Sequence, residues 1–135
     1  MMLSDVQNYV KSLKLADQVY MGSLPDKQEK SIGVYNSKHQ QEYKTALGGP
    51  QLASYGTKYV TLLIHWNNSP RESEKAAMAV FEAIETARNV TINEELIKFI
   101  QPLYEPQDVG KDDAGICEWV IEMAVIYEKG KGEKE

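Results

Sequence analysis

Few side chains in this 135-residue chain are placed to do chemistry. Its two histidines are His39, in a polar run, and His65, at the end of an apolar one. Neither has a second ligand beside it at the short spacing of a metal site, and a lone histidine on a strand is more often structural. The single cysteine, Cys117, lies in "ICEWVIEMAVIYE" with no histidine near it in sequence, which fits a buried, inert thiol better than a nucleophile. "GGP" at 48–50 lacks the Lys-Ser/Thr of a phosphate loop and reads as a turn. Asp112 and Asp113 between Gly110 and Gly115 are suited to a cation, but such a pair more often solvates a hairpin. Glu118 and Glu122 share one face of a strand at a separation too great for close carboxylate pairing. The residues therefore predict no catalytic group, no cofactor and no metal ligand.

The elements that carry these residues follow from periodicity. As a strand, 116–128 puts Cys117, Trp119, Ile121, Met123, Val125 and Tyr127 on one uncharged face. Ile116, Glu118, Val120, Glu122, Ala124, Ile126 and Glu128 form the other face, apolar and acidic together. A helix would place Ile121 and Val125 inside its polar stripe, and the run is rich in β-branched residues, so the strand template fits better. "TKYVTLLIHW" is the strongest central strand, with Val60, Leu62, Ile64 and Trp66 alternating with Tyr59, Thr61, Leu63 and His65. Ser69, Pro70 and Glu72 then open a helix as N-cap, first-turn proline and capping-box acid. Its apolar stripe is Ala76, Ala77, Val80, Phe81, Ile84 and Ala87, with Asn89 placed to close it.

Upstream, Ser4 and Gln7 have capping-box spacing ahead of Val6, Val10 and Leu13, which predicts a first helix. Short strands are expected at 19–22 and in "KSIGVYNS". Residues 37–56 make a long polar connection, a length that is usually functional or disordered. "ELIKFIQPLYEP" is expected as an edge strand because of Pro102, "DVGKDDAG" as a turn, and 129–135 as a flexible charged tail. The predicted fold is α+β: a mixed, mostly antiparallel five-stranded sheet, in the order α-β-β-β-α-β-β. Two helices cover one sheet face and leave the other open. Residues 1–128 are expected as a single domain.

The net charge of −5, with 15 basic and 20 acidic residues, is a poor match to a nucleic-acid-gripping surface. One cysteine allows no internal disulfide, which suits a reducing compartment. The start lacks the apolar core of a signal peptide, no run is long enough to span a membrane, and the Asn67 and Asn89 sequons read as chance.

The pieces "VYMGSLPDKQEKSIGVYNS", "GGPQLASYGTKYVTLLIHWNNSPRESEKAAMAVFEAI" and "LYEPQDVGKDDAGICEWVIEMAVIYE" have a familiar order and spacing. Over about residues 15–128 the chain resembles minor capsid or tail-completion proteins of long-tailed phages and prophages of Gram-positive bacteria, and is similar to their tail-terminator group. The resemblance implies a structural protein, synthesised in the host cytoplasm and located in the virion at the head–tail junction. It implies a homohexameric ring that caps the tail tube and lets the head join, with the tube protein and head-completion or connector proteins as partners. DNA would pass through that ring without specific binding. No residue-level motif transfers. From the residues, the expected protein contacts are Lys38, His39, Tyr43, Lys44 and Tyr55 in the long loop, and Glu118, Val120, Glu122 and Ile126 on the mixed strand face. The alternatives are a head-completion adaptor of the same junction and a cytosolic, dimeric ligand-binding α+β domain.

Overall fold

The two longest apolar alternations become the centre of one sheet. In a computed structural model, which describes residues 1–22, 29–38 and 55–128, the elements in chain order are α1 (Leu3–Ser12), β1 (Gln18–Met21), β2 (Ser31–Asn36), β3 (Tyr55–His65), α2 (Pro70–Glu85), β4 (Arg88–Ile92), β5 (Glu95–Pro102), β6 (Gln107–Lys111) and β7 (Cys117–Glu128). The strands order as β1-β2-β3-β7-β5-β4, with β6 also paired to β7. Only β1 and β2 run parallel; every other pair is antiparallel. The α+β class, the mixed sheet and the helices on one face are as the periodicity predicts.

The strand count differs: the described residues form seven strands against the expected five. β4 and β6 are the additions, and both are short, polar and largely exposed, so neither leaves a period-2 apolar signal. β4 folds back on β5 through Asn93 and Glu94, both at positive φ, the conformation of a two-residue type I′ hairpin turn. That makes β5 an internal strand between β7 and β4 rather than the expected edge. Pro102 is its last residue, where a missing N–H costs little. β6 continues along the same side of β7, beside its first residues.

Core and helix faces match the sequence pattern. Val60, Leu62 and Ile64 of β3 lie opposite Met123, Ile121 and Trp119 of β7. All but Trp119 are fully buried, together with Ile32 and Val34 of β2, Ile97 and Ile100 of β5, Val6 and Val10 of α1 and Ala77, Val80 and Ile84 of α2. Trp119 is half-buried at the margin of this cluster. Burial of these aliphatic side chains supplies the main driving force for the fold.

Both helix starts use different hydrogen bonds from those expected. α1 begins at Leu3, and Asp5 Oδ2 accepts from the Met2 N–H at 2.8 Å; Gln7 instead donates to the Val19 carbonyl at 3.1 Å. For α2, Ser69 Oγ accepts from the Glu72 N–H as a cap should, but the Glu72 carboxylate goes to Asn67 Nδ2 at 2.8 Å. Asn67 ties the corner together. Its Oδ1 accepts from the Ser69 N–H and the buried Ser73 hydroxyl, and its carbonyl accepts from the Cys117 N–H at 2.8 Å. The end of β3, the start of α2 and the start of β7 thus meet on Asn67. α2 stops at Glu85, capped by Thr86, whose hydroxyl donates to the Glu82 and Ala83 carbonyls; Asn89 lies beyond it in β4 at positive φ.

Candidate functional site

Because side chains alternate along a strand, the residues of β3 and β7 that do not face the helices form a second surface. Register sets the cross-strand pairs on it: His65 with Glu118, Leu63 with Val120, Thr61 with Glu122, Tyr59 with Ala124 and Thr57 with Ile126. Polar and apolar pairs alternate down its length. Both helices lie on the opposite face, and most of these side chains are half-buried by their own neighbours.

The polar groups here are tied to one another. Glu122 Oε1 accepts hydrogen bonds from the hydroxyls of Ser37 at 2.8 Å and Thr61 at 2.9 Å. His65 Nε2 lies 2.8 Å from Asp112 Oδ2, and Asp112 Oδ1 accepts from the N–H groups of Ala114 and Ile116, which fixes the β6–β7 turn. The bond to His65 and that to the Ile116 N–H hold the Asp112 carboxyl below its usual range. Glu118 stands beside them, its carboxyl raised chiefly by burial; the charge of Asp112 adds to the rise and His65 opposes it. Tyr35 of β2 has its phenol raised by burial first and by the Glu118 charge second. Its ring packs against Gly33, where a Cβ would come within 2.7 Å of Tyr35 Cε2, so a larger residue there would push the ring aside.

Between and beyond these networks lie the apolar parts. Leu63 and Val120 pair near the centre, while Ile126 neighbours Phe99, which is 38% exposed with the Arg88 guanidinium 5.9 Å from its ring. A strip of this kind is too apolar to be plain solvated surface and too well bonded to be a core.

Of the expected contact residues, Glu118, Val120, Glu122 and Ile126 do share this face. Lys38 and Tyr55 are exposed at the two ends of the long connection. His39, Tyr43 and Lys44 lie outside the described residues, as does the tail after Glu128. Sequence reading missed the partners: Ser37 and Thr61 for Glu122, and Asp112 for His65, 47 residues away. Period 2 does put His65 and Thr61 on the right face, but only the register shows what stands opposite them. Cys117 is buried, as its apolar run suggests.

The model of the family described as "Bacteriophage tail terminator protein" matches residues 8–129 of the chain. The chain belongs to the bacteriophage tail terminator family. The match spans every strand, α2 and the second half of α1, so the tail-terminator assignment rests on the whole sheet and not on a local motif. Comparison with individual curated proteins finds no match. As a tail terminator the protein is a structural component of the phage virion.

Proposed function

We propose that this tail terminator closes into a homohexameric ring on the end of the tail tube, stops the tube's growth and presents a surface to which the head joins. The observation that carries this reading is the open β3–β7 face, where Leu63, Val120 and Ile126 alternate with internally bonded polar groups. An assembly surface formed late must hold a neighbour yet keep free subunits apart. Accessible aliphatic groups supply the first property; fixed carboxylates supply the second. Six copies arranged head to tail would use this face on one side of each subunit and a different patch on the other. The long connection between Lys38 and Tyr55 suits contact with the tube or the adjoining subunit. Tube protein on one side and head-completion or connector proteins on the other are then the partners, at the head–tail junction. A net charge of −5 agrees with a ring through which DNA passes without being held.

The test is Val120→Arg. Val120 points away from the helices, so the variant should keep the wild-type circular dichroism spectrum and melting behaviour. It should fail to cap purified tail tubes in negative-stain images, whereas wild type caps them. A folded variant that caps normally would move the subunit contact off this face. Wild-type protein that never caps tubes, but binds heads, would favour an adaptor on the head side of the junction.

A further inference from the structure

His65, Asp112 and Glu118 come from three separate elements: the end of β3, the β6–β7 turn and the start of β7. Their ligand atoms all lie within 4.8 Å of one another. We infer that these three residues form a binding site for a single first-row transition-metal dication of the Zn2+ type.

The arrangement has the features such an ion needs. The His65 side chain is 4% exposed, so its ring is held from below, while the Asp112 side chain at 28% exposure stands at the mouth. Asp112 is aimed by the fold, because its Oδ1 is occupied by two backbone N–H groups and its Oδ2 is left facing the imidazole. Two carboxylates converge on one imidazole, and among the described residues no lysine or arginine forms a salt bridge with either. A dication would supply the missing positive charge. It would lie about 2.0–2.2 Å from each donor, replacing the proton shared by His65 Nε2 and Asp112 Oδ2 and drawing Glu118 in. Any proton on Nε2 leaves to solvent on binding, since the ligating imidazole is neutral. One nitrogen with two carboxylate oxygens suits Zn2+ or Mn2+ better than Mg2+ or Ca2+, which prefer all-oxygen shells. Three protein ligands leave a tetrahedral position for water. The bound ion would clamp the β6–β7 turn onto the end of β3, independently of any ring.

The experiment is isothermal titration of metal-stripped full-length protein with ZnCl2, in parallel with 15N spectra of the histidine rings. One saturable site, a raised melting temperature and a shift of the His65 Nε2 resonance are expected, with no comparable response to MgCl2 or CaCl2. Glu118→Gln should weaken Zn2+ binding at least tenfold, and His65→Ala should abolish it. His39→Ala and Glu122→Gln should bind as wild type. Absence of a stoichiometric Zn2+ site, binding unchanged by Glu118→Gln, or loss of binding in His39→Ala would each overturn the assignment. Should a site variant fail to fold, the wild-type His65 resonance decides: no movement with Zn2+ rules the site out.

Discussion

The two faces of the β3–β7 pair are built from alternate residues of the same two strands, yet they follow opposite rules. Toward the helices, Val60, Leu62, Ile64, Ile121, Met123 and Val125 are apolar, carry no side-chain nitrogen or oxygen and are fully buried. On the other side, His65, Thr61, Glu118 and Glu122 are interleaved with Leu63, Val120 and Ile126, and most are only half-buried. The first face is held by volume and dispersion, which tolerate no gaps. The second is held by directed bonds that remain compatible with water, and it keeps apolar area in reserve. One pair of strands thus carries a packed, helix-covered face and an open face of mixed polar and apolar groups, separated by side-chain parity alone.

The largest expected difference between the faces lies at adjacent positions. Ile121→Ala empties a fully buried site against Leu62 and should cost about 2–5 kcal/mol in chemical denaturation. A cost below about 1 kcal/mol would mean that the helix-covered face is loosely packed, and the contrast between the faces would weaken.

A smaller effect tests whether the open face is rigid by design. Glu122→Ala removes the acceptor shared by the Ser37 and Thr61 hydroxyls, and should cost about 1–3 kcal/mol. Glu122→Gln keeps an acceptor oxygen and should cost less. Equal losses in the two variants would show that the carboxylate charge, rather than the bonding geometry, holds this part of the face.

How far these faces were legible in the sequence depends on the kind of signal each leaves. The helix-covered face announces itself, because alternation in 57–66 and 116–128 and the stripe of Ala77, Val80 and Ile84 need only local periodicity. The family resemblance, too, lies in pieces that the structure assembles into the sheet. β4 and β6 were hidden because polar, exposed strands carry no hydrophobic period, and their pairing is set by the hairpin turn at Asn93–Glu94 and by β7. The open face was half legible. Parity assigned Glu118, Val120, Glu122 and Ile126 to it correctly. Nothing local, however, shows that Asp112 will meet His65 or that Asn67 will gather α2 and β7, since such contacts depend on register between distant segments. Spacing therefore predicted no metal ligands, while folding brings three candidate donors together.

The smallest expected effect sharpens the comparison most. Ile126 and Val125 are neighbours on β7 with opposite directions: Val125 is fully buried, and Ile126 is half-buried beside Thr57 and Phe99. A lysine at 126 can run its methylene stem along the Phe99 ring and keep its ammonium in water, so little burial is lost and no charge is stranded. Ile126→Lys should therefore change the stability of the isolated chain by no more than about 0.5 kcal/mol, the usual range for surface positions. The nearby Arg88 guanidinium over Phe99 adds only mild repulsion, because both charged heads reach solvent. If the open face is an assembly surface, the same variant should nevertheless elute as the free subunit at concentrations where wild type self-associates. A stability loss of several kcal/mol would mean instead that this end of the face is covered and belongs to the core.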